Sequence, residues 1–249
     1  MDTKKYFLKL KNVKIEKEVP LSYYTTFRIG GAADLLIKVT SQKELVETIN
    51  ICREHNIPFI ILGGGSNVLI NDNGFQGVVI LDRTSDYSFY DEIVTANSGT
   101  FFRKIAFESI KRGLEGIEFG CCLYGTLGGA IYGNSGAYGK SIGDVLIEAE
   151  ILKPDGKIEL VDNNFFHFQY RDSSLKTNLC VVLSVKLKLQ KSDPIVLLTR
   201  VKEDIEKRLN SHPQKEGSAG SYFKNLPSSV QGEPRIPAGK ILDELGARG

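Results

Sequence analysis

The pattern of apolar and polar residues over the first quarter of the chain predicts strands that alternate with a helix. Residues 35–39 form a short apolar run typical of a strand, and Ser41 and Glu44 then have the spacing of a capping box, which marks a helix N-terminus. Apolar residues at helical spacing extend this helix over 41–54, and a second strand is predicted at 58–62. This order predicts a β-α-β unit.

The middle of the chain continues the mixture of strands and helices. Residues 78–81 predict a further strand, and residues 101–111 place apolar side chains on one helical face before Gly113 ends the helix. A Pro-Asp-Gly turn separates the apolar runs 145–153 and 158–161, which is the pattern of a β-hairpin. The whole pattern predicts an α+β fold.

The hydrophobic pattern changes near residue 191, where we place a domain boundary. Residues 181–189 alternate between apolar and polar side chains, as in a half-buried strand, and the segment 191–194 interrupts this pattern with a proline. A helix is predicted to follow, with apolar positions at Leu198, Val201, Ile205 and Leu209. The predicted units are one domain over residues 20–190, with subdomains at about 20–82 and 83–190, and a second domain over residues 191–249.

Composition and charge exclude several classes of partner. The 249 residues include 32 Lys and Arg against 30 Asp and Glu, so no net field recruits nucleic acid or a membrane surface. An anionic ligand must therefore be bound by local groups. The N-terminal region lacks the apolar core of a signal peptide, and no apolar run approaches membrane-spanning length, which predicts a cytoplasmic protein.

The cysteines and histidines do not form a recognisable metal site. The four cysteines form no C-x-x-C pair, and the three histidines are far apart in the sequence, so we predict no bound metal. Cys121 and Cys122 are adjacent and are candidates for a redox pair. Adjacent cysteines bridge only with strain, and buried free thiols are the commoner case, so we favour buried thiols.

The most informative segment is a glycine loop, residues 63–67, between two apolar runs that both look like strands. Its members are Gly63, Gly64, Gly65, Ser66 and Asn67. Glycine lets the backbone approach an anion, and consecutive N–H groups in such a loop can point into one concavity that holds a diphosphate. The loop has no lysine, as a P-loop requires, and no helix pattern follows it, as a dinucleotide-binding fingerprint requires. A plain hairpin turn is the alternative interpretation.

A second glycine-rich segment covers residues 125–139 and lacks the periodicity of a packed helix or strand, which leaves its backbone accessible. Its small residues include Gly125, Thr126, Gly128, Gly129, Ala130, Gly136 and Gly139. Together with three further motifs, the two segments give the chain a resemblance to the UDP-N-acetylenolpyruvoylglucosamine reductase family. The five motifs, in the order of that family, are Thr26–Gly31, Gly63–Asn67, Gly125–Gly139, Tyr170–Ser173 and Gly217–Asn225.

The resemblance implies a flavoenzyme of peptidoglycan precursor synthesis. The implied fold is the FAD-binding fold of vanillyl-alcohol-oxidase (PCMH) type, with two α+β subdomains and a C-terminal domain that closes over a UDP-sugar. The glycine loop would hold the FAD diphosphate, and the second glycine segment would run beside the flavin. NADPH would reduce FAD, which would then reduce UDP-N-acetylglucosamine enolpyruvate to UDP-N-acetylmuramate. We expect a monomer, with roles in cell wall formation, cell shape and cell division that follow from this reaction.

The implied chemistry needs a cation and a proton donor. Hydride addition to the enolpyruvyl ether spreads negative charge into the carboxylate, and by resemblance Arg171 is the active-site arginine that binds it. Ser221 matches the proton-donating serine of the family, and Asn225 matches a residue that contacts the substrate, while Tyr170 is a candidate for packing beside the sugar. From the residues alone, a surface arginine paired with Asp172 or a nearby carboxylate is the favoured interpretation of Arg171, and a turn serine is that of Ser221, whereas Tyr170 is equally well a core residue.

The chain departs from the family pattern in two places. Tyr124 stands where the family has a proline, so the loop beside the flavin loses a restraint on its backbone. The family also continues beyond the position matched by Gly249 with a segment that carries a catalytic glutamate, and Glu244 lies before that segment and does not replace it. The alternative from another class is a non-catalytic remnant that binds FAD or a UDP-sugar, and a third interpretation is a related flavin oxidase acting on an alcohol.

Overall fold

The computed structural model describes residues 3–211, 216–228 and 235–247. Its strands are β1 (Lys14–Pro20), β2 (Ala32–Val39), β3 (Phe59–Leu62), β4 (Phe75–Asp82), β5 (Tyr87–Tyr90), β6 (Ile93–Asn97), β7 (Leu114–Glu115), β8 (Gly136–Ala137), β9 (Lys140–Ser141), β10 (Leu146–Leu152), β11 (Ile158–Asp162), β12 (Val181–Lys188) and β13 (Gln190–Lys191). Its α-helices are α1 (Gln42–Glu54), α2 (Phe102–Lys111), α3 (Leu127–Tyr132), α4 (Leu175–Asn178), α5 (Pro194–Ser211) and α6 (Ala238–Glu244). Short 3-10 helices are Thr3–Phe7, Leu21–Tyr24, Glu118–Cys122, Ile142–Asp144 and Asn163–Phe166.

The first sheet has the strand order β1-β2-β4-β3, with β2, β4 and β3 parallel and β1 antiparallel at one edge. The predicted capping box is confirmed, since the Ser41 hydroxyl accepts from the Glu44 N–H and the Glu44 carboxylate accepts from the Ser41 N–H. β4 lies between the two strands of the predicted β-α-β unit. The carboxyl ends of β3 and β4 therefore meet at one edge, and the glycine loop begins there.

The prediction of a strand directly after the glycine loop is wrong. Residues 68–70 have no regular secondary structure. Leu69 is largely exposed, while Ile70 packs against Gly30, and the Gly31 N–H donates to the Asn71 carbonyl. This segment is therefore held by the loop before β2, and within the described residues it pairs with no strand.

The second sheet is antiparallel, with the strand order β11-β10-β12-β6-β5. It contains the predicted hairpin as β10 and β11, and the predicted half-buried strand as β12. Its inner face packs on α2 and α3 through a core that includes Phe102, Phe119, Ile131 and Phe166. The hydrophobic pattern does not predict β1, β5 or β6, because these strands are short or carry many exposed polar residues.

The second glycine segment is more regular than its sequence indicates. Residues 127–132 form α3. The short strands β8 and β9 form a β-hairpin whose two-residue turn consists of Tyr138 and Gly139, both at positive φ. The helix is short and begins at the Thr126 cap. Its two glycines hide the helical pattern, because periodicity is read from side chains that glycine lacks.

The predicted helix after residue 194 is α5, and it packs on the second subdomain. Its Leu197 and Val201 are buried against Ala106 and Ile110 of α2 and against Cys121, whereas Leu198 and Leu209 remain roughly half exposed. The domain boundary near residue 191 stays a prediction, and the second predicted domain includes residues outside the described ranges.

The described cysteines are free, and Cys121 and Cys122 are buried as the sequence favours. Burial raises the pKa of the Cys121 thiol to about 12, which keeps it protonated near neutral pH. Among the described residues, no helix is long and apolar enough to cross a membrane.

Candidate functional site

The glycine loop lies where three segments of backbone converge. A Cβ atom on Gly63 would overlap the Thr126 hydroxyl, one on Gly64 would overlap the Tyr124 carbonyl oxygen, and one on Gly65 would overlap the Tyr24 carbonyl oxygen. Gly65 also has φ +63°, a conformation that side chains disfavour. The fold itself therefore requires glycine at these three positions, so that the loop can touch both the second glycine segment and the loop before β2.

The loop presents a row of unused hydrogen-bond donors. Within the described residues, the backbone N–H groups of residues 64–67 donate to no protein acceptor, and the same holds for the N–H groups of Gly125 and Thr126, which face this loop. Buried or half-buried amides are normally paired. Successive N–H groups that include a left-handed residue such as Gly65 form an anion-binding concavity, which fits the diphosphate of a nucleotide cofactor.

The first turn of α3, in contrast, uses its N–H groups internally. Leu127 donates to the Thr100 carbonyl at 2.9 Å, Gly128 donates to the Ser98 carbonyl at 2.8 Å, and Gly129 is capped by the Thr126 hydroxyl at 3.5 Å. These bonds fix α3 against the β6–α2 connection. The donors available to an anion are therefore the amides that precede α3 and those of the glycine loop.

The other small residues of the second glycine segment divide into two kinds. A Cβ atom on Gly125 or Gly129 would meet protein atoms no closer than 3.6 Å, which is ordinary van der Waals contact. Gly136, in contrast, touches the Lys140 backbone, and Gly139 has φ +80° in the hairpin turn. The fold requires glycine at the hairpin positions, but it would accept a Cβ atom on Gly125 or Gly129 without a clash.

Arg83 anchors the start of the glycine loop, and the sequence analysis does not single it out. Its Nη1 atom donates to the Gly63 carbonyl at 3.0 Å and to the Asp82 carbonyl at 2.8 Å, and its guanidinium lies 5.6 Å from the Phe101 ring centroid. Burial lowers the pKa of Arg83 from its ordinary value, although the nearby Asp82 acts in the opposite direction. Its place directly after β4, at the edge where β3 ends, is the signal that could have identified it.

Arg171 reaches toward the hairpin formed by β8 and β9. Its Nη2 atom donates to the Gly136 carbonyl at 2.5 Å, and its own backbone has φ +55°. It is not paired with Asp172, which instead forms an ion pair with Lys176 at 2.9 Å. The hydrogen bond from Lys176 lowers the pKa of the Asp172 carboxyl, so that carboxylate is already satisfied. The exposed guanidinium of Arg171 thus keeps donors for a ligand.

Tyr170 and Asn225 are joined through Arg235, which the sequence analysis also does not identify. The Arg235 guanidinium stacks 4.0 Å from the Tyr170 ring centroid, and its Nη1 atom donates to the Asn225 carbonyl at 3.3 Å. The Asn225 side-chain oxygen accepts from the Ala238 N–H at the start of α6. Three of the candidate substrate residues, Tyr170, Arg171 and Asn225, therefore lie in one region.

Ser221 lies elsewhere in the site, on the segment that passes the glycine loop. Its neighbour Gly220 approaches the Ser66 carbonyl and the Asn67 side chain, within 4 Å of an added Cβ atom. Ser221 is exposed, and within the described residues its hydroxyl forms no hydrogen bond. Within the described residues, Ser221 lies beside the glycine loop and Arg171 beside the hairpin of β8 and β9, and the two share no hydrogen bond.

Comparison with known proteins identifies the family. A model described as an FAD binding domain matches residues 33–162. A UDP-N-acetylenolpyruvoylglucosamine reductase of Clostridium botulinum (strain Eklund 17B) is 34% identical over 239 residues, which cover 96% of this chain and 76% of the relative. The chain belongs to the UDP-N-acetylenolpyruvoylglucosamine reductase family. The reductase of Clostridioides difficile strain 630 is 32% identical over all of this chain and 82% of its own length.

Solved structures agree with the reductase family and with the predicted fold. The UDP-N-acetylenolpyruvylglucosamine reductase of Thermus caldophilus superposes with a TM-score of 0.79 at 30% identity, over 95% of this chain and 82% of its own. A cholesterol oxidase of Brevibacterium sterolicum, at 17% identity, superposes with a TM-score of 0.54 over 72% of this chain and shows a shared fold only. The prediction of an α+β FAD-binding fold of vanillyl-alcohol-oxidase (PCMH) type is confirmed.

Two cavities lie away from these reductase-family motifs. They have volumes of about 260 and 370 Å³ and adjoin the face of the second sheet that α2 and α3 do not cover. Both are lined by Glu150, whose carboxylate already accepts from Gln42 and Ser184. The carboxylate that the two cavities share is therefore paired within the protein. Among the described residues, no cluster of three or more His, Cys, Asp or Glu side chains is placed to hold a metal ion.

Proposed function

We propose that this protein is an FAD-dependent oxidoreductase that reduces UDP-N-acetylglucosamine enolpyruvate to UDP-N-acetylmuramate, with NADPH as the hydride donor. Membership of the reductase family supports the reaction, and the FAD-binding-domain match supports the cofactor. The observation that carries the proposal in this chain is the row of unused N–H donors at residues 64–67. The non-catalytic remnant has no observation in its favour.

The residues that would hold FAD fit its chemistry. The N–H groups of the glycine loop and of Gly125 and Thr126 would bind the diphosphate, and the missing side chains of Gly125 and Gly129 would let the cofactor approach the backbone. Bound FAD supplies the chemistry of accepting a hydride from NADPH and passing it to the substrate. The protein orients that cofactor, and it must bind the substrate carbon within reach of it.

Arg171 would bind the substrate carboxylate. Hydride addition to the methylene carbon of the enolpyruvyl group leaves an enolate whose charge extends into the carboxylate, so a fixed guanidinium stabilises the transition state more than the ground state. The hydrogen bond to Gly136 holds Arg171 in place before substrate arrives. Tyr170 and Asn225 would contact the remainder of the substrate, since Arg235 gathers them next to Arg171.

Ser221 would donate the proton that completes the reaction. The hydroxyl proton moves from Ser221 Oγ to the carbon that bears the ether oxygen, so hydride and proton together add two hydrogens across the double bond. Two observations support this role: its hydroxyl has no partner among the described residues, and it lies beside the glycine loop. Bulk water can then return the proton to the serine, because Ser221 is exposed.

Two measurements on purified protein test the proposal. The visible absorbance of bound flavin tests cofactor binding, and oxidation of NADPH that depends on the enolpyruvyl sugar tests catalysis. A protein that stays colourless after FAD is added would contradict the cofactor assignment. Flavin that is reduced by an alcohol without NADPH would instead indicate an oxidase.

A further inference from the structure

Thr26 lies at the junction of the two segments on which the proposed chemistry depends. Its N–H donates to the Gly65 carbonyl at 3.0 Å, which ties it to the glycine loop. Its carbonyl accepts from the Ser218 N–H at 3.1 Å, and its hydroxyl donates to the Ser218 carbonyl at 2.6 Å. Thr26 thus forms one hydrogen bond to the glycine loop and two to the segment that carries Ser221.

The segment around Ser221 is fitted to this loop by more than the two hydrogen bonds. A Cβ atom on Gly217 would overlap the Phe27 carbonyl, so glycine is needed there for the close approach. Ala219 is buried, and the rings of Phe27 and Tyr222 meet edge to face with centroids 6.0 Å apart. The backbone on both sides of Ser221 is therefore held against residues 26 and 27.

The Thr26 hydroxyl has one proton and two carbonyl oxygens within reach. The Ser218 oxygen lies at 2.6 Å and the Gly65 oxygen at 3.4 Å, so the proton goes to Ser218. The Gly65 carbonyl is served by the Thr26 N–H instead. The Thr26 side chain therefore mainly holds the segment that carries Ser221, whereas the Thr26 backbone N–H binds the glycine loop.

We propose that Thr26 is a positioning residue that couples occupancy of the glycine loop to the placement of Ser221. The inference rests on the proposed function, in which FAD binds the glycine loop and Ser221 donates a proton. FAD that orders residues 64–67 also orders the Gly65 carbonyl, and Thr26 passes this order to Ser218, three residues before the proton donor. The family motif that contains Thr26 thereby acquires a physical role.

Hydrogen exchange on Thr26→Val tests the coupling. In the wild type, FAD is expected to slow exchange of backbone amides in the segment 216–226. Valine keeps the β-branched shape but removes the hydroxyl, so in Thr26→Val these amides are expected to exchange about two- to fivefold faster. The lower end of that range reflects the exposure of this hydrogen bond to water. The protection conferred by FAD should be reduced by the same factor, because the backbone bonds of residue 26 to Gly65 and Ser218 remain, while the Kd for FAD changes less than about threefold.

Two control variants distinguish a coupling role from a general loss of structure. Thr26→Ser retains the hydroxyl and should restore the protection. Thr199→Val removes a hydroxyl that bonds only within α5, to the Ile195 carbonyl, and should leave the segment 216–226 unchanged. A catalytic readout accompanies them: in Thr26→Val, reoxidation of reduced flavin by the enolpyruvyl sugar should slow, whereas flavin reduction by NADPH should not.

Three outcomes would refute the coupling role of Thr26. If the wild type binds FAD and Thr26→Val shows the same FAD-dependent protection of 216–226, the positioning role is refuted while the proposed function stands. If the wild type takes up no FAD, the cofactor assignment fails, and the coupling that depends on it fails as well. A large rise in the Kd for FAD in Thr26→Val would show that the hydroxyl supports the glycine loop directly, and it too would refute the coupling.

Discussion

Replacing Gly129 by alanine tests whether this glycine is required for cofactor binding rather than for folding. Gly129 is exposed in α3, and an added methyl group would meet the nearest protein atom, the Thr126 hydroxyl oxygen, at 3.6 Å. The protein alone therefore accepts alanine without strain. The same methyl group would project into the space that we assign to the cofactor, so stability and FAD affinity should change in opposite directions.

The magnitudes follow from helix propensity and from packing. Alanine is favoured over glycine inside a helix by up to about 1 kcal/mol, so Gly129→Ala should leave the apoprotein equally stable or raise its melting temperature by roughly 2–4 °C. A methyl group forced into a filled contact typically costs about 1–3 kcal/mol, so the Kd for FAD should rise roughly 5- to 150-fold.

Thermal unfolding of the apoprotein and titration with FAD, followed by flavin fluorescence, measure the two quantities. Gly239→Ala is the matched control, because Gly239 lies in α6 with no atom within 4 Å of an added Cβ, and FAD affinity should be unchanged. Gly64→Ala is the opposite control, since its methyl group would overlap the Tyr124 carbonyl and should destabilise the apoprotein. Unchanged FAD affinity in Gly129→Ala would refute the placement of the cofactor beside α3.

Three further predictions concern the side chains of the site. Arg171→Ala should keep bound flavin but lose substrate-dependent turnover, by absorbance and NADPH assay; loss of colour would assign Arg171 a structural role through Gly136. Ser221→Ala should leave flavin reduction by NADPH intact and slow reoxidation by the sugar roughly 10²- to 10⁴-fold in stopped flow, and two unchanged half-reactions would exclude the serine as proton donor. Burial alone would raise the pKa of the Glu118 carboxyl, but hydrogen bonds from Lys140 and a backbone N–H lower it below 4.5. Ionised Glu118 therefore stabilises the fold above about pH 4.5, and this contribution is lost on acidification, so Glu118→Gln should flatten the dependence of stability on pH; an unaltered pH profile would contradict it.

Local sequence patterns predicted the elements whose residues specify them locally. The Ser41 and Glu44 capping box, the Pro-Asp-Gly turn between β10 and β11, and Gly113, which ends α2 at φ +65°, each act within a few residues of their own position. The glycine loop was also found in the sequence, because three consecutive glycines are conspicuous. These features needed no knowledge of the tertiary structure.

Features that depend on distant contacts were not predictable in this way. Arg83 is important because β4 lies between β2 and β3, and the hydrophobic pattern does not give the strand order. Arg235 contacts both Tyr170 and Asn225, which precede it in the sequence by 65 and 10 residues. Nothing near Arg235 in the sequence indicates a stacking partner. Residues 68–70 are apolar enough for a strand, but among the described residues they pair with no strand and are held instead by contacts with residues 30 and 31.

The two kinds of glycine explain how one loop region can serve both folding and binding. Gly63, Gly64 and Gly65 allow three backbone segments to touch, and in the part of the chain that the structure describes, the N–H groups of residues 64–67 have no acceptor. Gly125 and Gly129 are not needed for that contact, so their missing side chains matter only when something else occupies the space. A cost paid in folding, unpaired backbone donors, is thereby offset when an anion binds. It follows that FAD should stabilise the protein most strongly around the glycine loop, and through Thr26 at the segment that carries Ser221.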